Sequence, residues 1–154
     1  MIKLSDILVP ERVLHNAPIQ SKKRALEQIS HTIVGAVAPI VDSVPIFEGL
    51  IARERLGSTG IGHGVAIPHC RIKDLPHVVS VFMSVSPGIE FDAIDNQPVD
   101  LIMALIVPEE TSEEHLQLLA LLADKFSQAT FRQQLREAHD SAQLYQVLVD
   151  HATE

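Results

Sequence analysis

The residues best suited to chemistry lie in one glycine-rich segment near the middle of the chain, residues 57–70. Within it, the short apolar run Val65–Ile67 predicts a buried strand, which Pro68 interrupts before His69. Glycine lets a backbone come close to another molecule and adopt positive φ. The pattern therefore predicts an imidazole just past a strand end, on a surface with few side chains, where a partner molecule can reach it.

A glycine-rich loop can also bind nucleotides, but the spacing here does not support that function. A P-loop needs Lys and then Ser or Thr directly after its last glycine, whereas Val65 and Ala66 follow Gly64. The dinucleotide fingerprint needs a small residue where Ile67 stands. That fingerprint also leads into a helix, whereas the loop here leads into a predicted strand. The sequence therefore argues against an ATP- or NAD-binding enzyme, and we predict no cofactor.

A metal site is a second alternative. His63, His69, Cys70 and His77 lie close together in the sequence, and imidazole and thiolate are zinc ligands. Their spacing matches no zinc finger, and the chain has neither a CxxC nor an HExxH motif. We predict no bound metal, while a His/Cys metal-binding module stays open as an alternative.

The third alternative makes His69 a nucleophile. A neutral imidazole has a lone pair that can attack phosphorus, and the product carries about two negative charges. Arg53 or Arg55, at the end of a predicted helix, can offset that charge, although an arginine there also simply complements the helix dipole. His115, in the first turn of a later helix, can hydrogen-bond the same group. Further hydroxyl and backbone N–H donors come from the loop residues Ser58, Thr59, Gly60, Gly62 and Gly64.

The rest of the sequence predicts the elements that position these residues. Ser21 and Ser43 begin helices with apolar faces, and Gly57 suits the position just past the end of the second one. Long apolar runs predict buried strands over Val78–Val85 and Leu101–Val107. We therefore expect an α/β domain with a mixed β-sheet flanked by helices on both faces.

Shorter signals predict the boundaries of further elements. Thr111 and Glu114 form a capping box in front of a leucine-rich helix, and Thr130 and Asp140 indicate two more helix starts. Pro87–Gly88 predicts a turn after the first long strand.

Length and composition restrict the class of protein. The chain has 154 residues, a net charge of −8 and one cysteine, so we expect a single domain spanning residues 1–154, without an internal disulfide. The negative charge argues against a nucleic-acid partner. No apolar run reaches the roughly eighteen residues of a membrane helix, and the N-terminus lacks the pattern of a signal peptide. We predict a cytoplasmic protein without membrane insertion.

The segment from Gly62 to His69, Gly-His-Gly-Val-Ala-Ile-Pro-His, resembles the phosphorylation-site signature of the mannitol/fructose-type enzyme IIA of the bacterial phosphotransferase system. Ser21–Glu27 and Phe91–Leu101 are similar to segments of the nitrogen-regulatory branch of that family. The matching segments lie between residues 20 and 125. The resemblance implies a mixed sheet flanked by helices.

The same resemblance implies a role for each site residue. His69 corresponds to the phosphoryl-accepting histidine, Arg53 to the arginine that steadies the phosphoryl group, and His115 to a second histidine that hydrogen-bonds it. The implied donor is an HPr-like phosphocarrier protein. With no IIB domain fused to it, the chain is expected to be a regulator read by protein partners such as potassium transport and sensor-kinase systems, with no catalysis on a small molecule. A sugar-specific IIA component that passes phosphate to a IIB cysteine is the alternative.

Two positions depart from the family pattern. His63 stands where asparagine is common, and Cys70 stands where glycine is frequent. We expect both to alter the geometry of the loop. Because His63 adds a titratable ring, we also expect it to lie near the site and to change the pH response of the site.

Overall fold

The computed structural model describes residues 2–37, 43–110 and 112–152, which form one six-stranded sheet and six α-helices. A single 3-10 turn, Pro10–Arg12, precedes the first strand. The helices are α1 (Leu4–Ile7), α2 (Lys22–Val37), α3 (Ser43–Arg55), α4 (Glu113–Phe126), α5 (Ala129–Glu137) and α6 (Ser141–Ala152). The strands are β1 (Val13–Ala17), β2 (Gly60–Gly62), β3 (Val65–Ala66), β4 (His69–Ile72), β5 (Val79–Ile89) and β6 (Val99–Pro108).

The sheet is mixed, with the strand order β1-β5-β6-β3-β2. β1 is parallel to β5, β5 is antiparallel to β6, and β2 and β3 form an antiparallel hairpin. Both β3 and β4 run parallel to β6, so β4 continues along β6 where β3 ends. The two long apolar runs of the sequence are the central strands β5 and β6, as predicted.

Helices cover both faces of the sheet, because successive side chains of the buried strands point to opposite sides. Ile102, Ala104 and Ile106 of β6 belong to a buried cluster with the apolar residues of α2 and α3. Leu101 and Leu105 belong to a second cluster with α1, α4, α5 and α6. The predicted mixed sheet flanked by helices is therefore confirmed. No helix in the described ranges is both long enough and apolar enough to span a membrane.

The predicted helix starts at Ser21 and Asp140 are confirmed, since each side chain accepts a hydrogen bond from a backbone N–H three residues later, at 3.2 and 2.9 Å. The predicted start at Thr130 is wrong, because Gln128 is the N-cap of α5 and Thr130 lies inside the helix.

The predicted turn at Pro87–Gly88 is also wrong. β5 continues through these residues to Ile89, which pairs with Val99 of β6 after a shift in register. Such an irregularity lets one strand carry extra residues and still keep its pairing with the neighbouring strand.

Candidate functional site

His69 follows the end of β3, as predicted, and it is also the first residue of β4, which the sequence did not predict. Leu105 lies beside it on β6, and the Leu105 N–H donates to the Pro68 carbonyl at 2.9 Å. Paired residues of neighbouring strands point to the same face. The half-buried His69 ring therefore lies on the side of the sheet that α4 covers.

The main chain fixes one ring nitrogen of His69. Nδ1 lies 2.9 Å from the carbonyl oxygen of Ile67. Because a carbonyl can only accept a hydrogen bond, Nδ1 must carry the proton of the neutral ring. The contact therefore selects the tautomer in which Nε2 keeps its lone pair, and Nε2 is the nucleophilic atom of this side chain.

The segment that orients the ring is held by residues 57–60, which we call the support loop. The Ile67 N–H donates to the Thr59 carbonyl at 3.0 Å and continues the pairing of β2 with β3. Thr59 is held in turn by Glu54, in the last turn of α3, which accepts its N–H at 3.1 and 3.2 Å and also its hydroxyl. Sequence reasoning missed Glu54, because a carboxylate at a helix end matches no motif.

The hydroxyl groups of the support loop donate to acceptors within the protein. The Ser58 hydroxyl donates to the Phe91 carbonyl at 2.7 Å and accepts from the Gly60 N–H at 3.0 Å. The Thr59 hydroxyl donates to Glu54. Ser58 and Thr59 therefore stabilise the loop itself, and their protons already have protein acceptors.

Arg53 is attached to the same loop. It is half-buried in the last turn of α3, and its Nη1 donates to the Gly57 carbonyl at 2.8 Å. A guanidinium has five N–H donors, so this contact leaves others for an anion. Arg55, the other candidate, is exposed. Arg53 is thus tied to the loop that supports the segment before His69.

His115 lies in the first turn of α4, on the face of the sheet to which His69 points. Its Nδ1 accepts a hydrogen bond from the Ser112 N–H at 3.2 Å, so the proton of the neutral ring is on Nε2, available as a donor. The N-cap is Ser112, whose hydroxyl accepts the His115 N–H at 3.4 Å. The capping box thus uses Ser112 and His115 rather than the predicted Glu114, and Thr111 lies outside the described residues.

The remaining glycines build a tight hairpin. β2 and β3 are joined by the two residues His63 and Gly64, whose φ angles of 59° and 79° give the doubly positive pattern of a type I′ turn. A Cβ on Gly64 would lie 2.6 Å from Asp100 Oδ1, and one on Gly60 would lie 2.7 Å from the Cβ of Ala93. The packing of the hairpin therefore requires these glycines.

The end of this hairpin, residues 62–65, is the hairpin tip, and side chains from two other segments hold it. The His63 N–H donates to Asp95 at 2.9 Å. This hydrogen bond is the largest cause of the lowered pKa of the Asp95 carboxyl, and a bond from the Gln97 N–H is the next. Arg136 of α5 donates to the His63 carbonyl at 2.6 Å and forms an ion pair with Asp100 at 2.9 Å. Sequence reasoning missed Arg136, which lies far away in the chain.

The hairpin tip is remote from His69. Val65 lies beside Leu101 of β6, and His69 lies beside Leu105. The path from Leu101 to Leu105 is about 13 Å at the usual rise per residue of a strand. The expectation that His63 adds a titratable ring near His69 is therefore wrong.

Cys70 points away from His69, because consecutive strand residues face opposite sides of the sheet. It is buried in the cluster with α2 and α3, and its Sγ is 3.9 Å from the Ile46 carbonyl oxygen. Desolvation raises the pKa of the Cys70 thiol to about 12, so the thiol is neutral at physiological pH. Within the described part of the chain, no three His, Cys, Asp or Glu side chains form a group that could hold a metal ion.

Comparison with known proteins relates this arrangement to one family. Residues 6–151 match the family described as "Phosphoenolpyruvate-dependent sugar phosphotransferase system, EIIA 2". A nitrogen regulatory protein of Pseudomonas aeruginosa is 47% identical over 150 residues, which cover 97% of each chain. One from Escherichia coli is 41% identical and covers 97% of this chain and 91% of its own. The crystal structure of nitrogen regulatory protein IIA-Ntr from Neisseria meningitidis is similar, with a TM-score of 0.89, 36% identity, and coverage of 94% of this chain and 98% of that one.

Proposed function

Because the chain belongs to the EIIA type 2 family of the phosphotransferase system, and within it to the nitrogen regulatory proteins, we propose that it is a phosphocarrier that accepts a phosphoryl group on His69. The donor is the phosphohistidine of an HPr-like protein. The observation that carries the proposal is the hydrogen bond from His69 Nδ1 to the Ile67 carbonyl, which leaves Nε2 as a free nucleophile.

The transfer exchanges one P–N bond for another. The Nε2 lone pair of His69 attacks the phosphorus, the P–N bond of the donor breaks, and its electron pair returns to the donor nitrogen. The ring gains positive character as the bond forms, and the Nδ1–H bond to the Ile67 carbonyl stabilises that charge. The reaction consumes no cofactor, so the protein contributes mainly position and electrostatic stabilisation.

Two further residues have roles in this proposal. Arg53 steadies the phosphoryl group with guanidinium donors not used by Gly57. His115 presents Nε2–H as a hydrogen-bond donor, because its Nδ1 already accepts from Ser112. Its place in the first turn of α4 also favours an anion, since the helix N-terminus carries partial positive charge.

The phosphorylation state is then a signal that protein partners read. The phosphoryl group adds about two negative charges to one surface, enough to change which interface is favourable. We assign this regulatory role to the chain because its relatives at 47% and 41% identity are named nitrogen regulatory proteins. We place the protein in the cytoplasm, where HPr-like donors act, and treat residues 1–154 as one IIA domain.

Incubation with a phosphorylated HPr-type donor tests the proposal. The wild-type protein should gain about 80 Da, the mass of one phosphoryl group, in an acid-labile form. His69→Ala should abolish the gain, while His31→Ala, in the helix α2 that covers the other face of the sheet, should retain it. Equal labelling of wild type and His69→Ala would contradict the proposal. Onward transfer of the label to a IIB cysteine would instead support the sugar-specific alternative.

A further inference from the structure

Glu54 is a buried carboxylate next to Arg53, and its side chain is only 5% exposed. Burying a carboxylate is unfavourable unless it is paired with a cation and hydrogen-bonded. Here the cation is Lys22 of α2, whose Nζ lies 3.0 Å from Glu54 Oε1. Replacing a buried ion pair by apolar residues of similar size often leaves the stability of a protein unchanged. Stability alone therefore does not explain a charged pair at this position.

The hydrogen bonds of Glu54 all go to one residue of the support loop. Its two oxygens accept the Thr59 N–H at 3.2 and 3.1 Å, and Oε2 also accepts the Thr59 hydroxyl. Because hydrogen bonds to an ionised carboxylate are among the stronger ones in proteins, they fix both the main chain and the side chain of Thr59.

A short chain of contacts leads from Thr59 to the reactive ring. The Thr59 carbonyl accepts the Ile67 N–H at 3.0 Å, and the Ile67 carbonyl accepts the His69 Nδ1–H at 2.9 Å. The orientation of the Ile67 carbonyl sets both the rotation of the imidazole and its tautomer. Glu54 thus holds the residue that anchors the segment orienting His69.

The same network also holds the support loop from its other side. Lys22 Nζ lies 3.7 Å from Asp92 and 4.9 Å from the centroid of the Phe91 ring, and the Phe91 carbonyl accepts the Ser58 hydroxyl. The ion pair with Glu54 therefore connects α2, α3 and the segment around residue 91 to one loop. Three separate parts of the fold converge on two adjacent loop residues.

We infer that Glu54 is a positioning residue for phosphoryl transfer, which acts through Thr59 and Ile67 to hold His69 with Nε2 free. The inference rests on the proposed function, since it assigns a role in the same reaction. Arg53 and Glu54 are consecutive, and they hold the support loop at Gly57 and Thr59 respectively. Among the described residues, the hydrogen bonds and the ion pair of Glu54 go to Thr59 and Lys22, not to His69.

The substitution Glu54→Gln tests this role, because it keeps the shape of the side chain and removes its charge. With saturating phosphorylated HPr-type donor, we expect transfer to slow about tenfold, as small displacements of a reacting group do, with the KM for the donor changed less than about twofold. Glu27→Gln, in the ion pair with the exposed Arg24, makes the same chemical change away from the loop and should leave the rate unchanged. Equal rates for Glu54→Gln and Glu27→Gln would overturn the inference.

Nitrogen-15 NMR of the unphosphorylated protein gives a second readout that does not depend on any donor. In the wild type, the neutral His69 ring should carry its proton on Nδ1. In Glu54→Gln, a measurable share should move to Nε2, whereas an unchanged tautomer would overturn the inference. If the donor fails to label the wild type, the proposed function fails, and the tautomer still decides whether Glu54 orients the His69 ring.

Two variants of Thr59 keep the test decisive if Glu54→Gln does not fold. Thr59→Val keeps the shape and the N–H but removes the hydroxyl that donates to Glu54. Thr59→Ser restores that hydroxyl. We expect slower transfer and a mixed His69 tautomer in Thr59→Val, and wild-type behaviour in Thr59→Ser. Equal transfer rates and equal tautomers in the two variants, per folded molecule, would overturn the link through the Thr59 hydroxyl, because the Thr59 N–H bonds to Glu54 remain in both variants.

Discussion

The two ends of the glycine-rich segment look alike in sequence but differ in structure. The support loop, residues 57–60, pairs with the segment before His69 and is held by Arg53 and the buried Glu54. The hairpin tip, residues 62–65, is about 13 Å from His69, measured along β6 from Leu101 to Leu105. The glycines of this segment therefore have two different roles. Those of the tip allow a tight turn, and the support loop is the end that hydrogen bonds connect to His69.

The two ends also differ in how they are held. Glu54 is buried, whereas the ion pair of Arg136 and Asp100 at the tip is about one-third exposed. Exposed ion pairs contribute about 0–1 kcal/mol, while removing one partner of a buried pair costs several kcal/mol. Loss of Glu54 should therefore cost more stability than loss of the pair at the tip. Because the hydrogen bonds that lead to His69 start from the support loop, substitutions there should also change the transfer reaction, whereas substitutions at the tip should change stability alone.

The largest effect is expected at the support loop. Arg53→Ala should slow phosphoryl transfer about a hundredfold, because it removes the charge that, in the proposed function, steadies the phosphoryl group. Arg55→Ala, two residues further along α3 and exposed, is the matched control and should remain within about twofold of wild type. Rapid-quench measurement of acid-labile phosphate gives both rates, and similar losses in the two variants would contradict the assignment of Arg53.

A substitution of a glycine at the hairpin tip should reduce stability without slowing phosphoryl transfer. Gly64→Ala should lower the free energy of unfolding by about 2 kcal/mol, because it forces a side chain into positive φ and against Asp100. The rate of transfer per folded molecule should not change. Gly35→Ala is the control, since an added Cβ there meets no atom within 4 Å and alanine favours a helix. Slower transfer in Gly64→Ala without lost stability would break the distinction between the two ends.

The residue before Gly64 offers a smaller test. His63→Asn should raise the free energy of unfolding by about 0.5 kcal/mol, because asparagine tolerates the positive φ of a type I′ turn better than histidine does. The pH dependence of transfer should stay the same, because the ring lies far from His69. A shift of the pH–rate profile in His63→Asn would show that the tip communicates with the site.

The smallest effect concerns the carboxylate that holds the tip. The hydrogen bond from the His63 N–H lowers the pKa of Asp95 below its ordinary value of 3.8, so the unfolded chain binds the proton more tightly than the folded protein does. The contribution of Asp95 to stability is therefore present above that value and is lost as pH falls through the lowered pKa. The difference in unfolding free energy between wild type and Asp95→Asn should shrink from about pH 7 to about pH 3. A constant difference would exclude this ionisation as its source.

The sequence predicted the layered fold well, because the helices and strands of this fold follow from local patterns. The apolar runs that became β5 and β6, and the side-chain caps at Ser21 and Asp140, are all visible within a few residues. β4 was missed because Pro68 interrupts the run before it. The strand resumes only because β6 continues alongside, and that is a tertiary contact.

The candidate site was predicted only in part, for a similar reason. His69 follows from the glycine-rich segment, and Arg53 or Arg55 and His115 follow from predicted helix ends. The family resemblance selects Arg53 and implies the role of each residue. The contacts of Glu54 with Lys22 and Thr59 depend on how α2 and α3 pack, which no short motif encodes. The same holds for His63, which the family resemblance placed near the site and the register of β3 on β6 places away from it.

The most direct test of the central claim is nitrogen-15 and phosphorus-31 NMR of the protein after reaction with a phosphorylated HPr-type donor. If the Ile67 carbonyl fixes the ring as described, the phosphorus should couple to Nε2 of His69, and Nδ1 should keep its proton. A phosphoryl group on Nδ1 of His69, or on His115 in place of His69, would contradict the account.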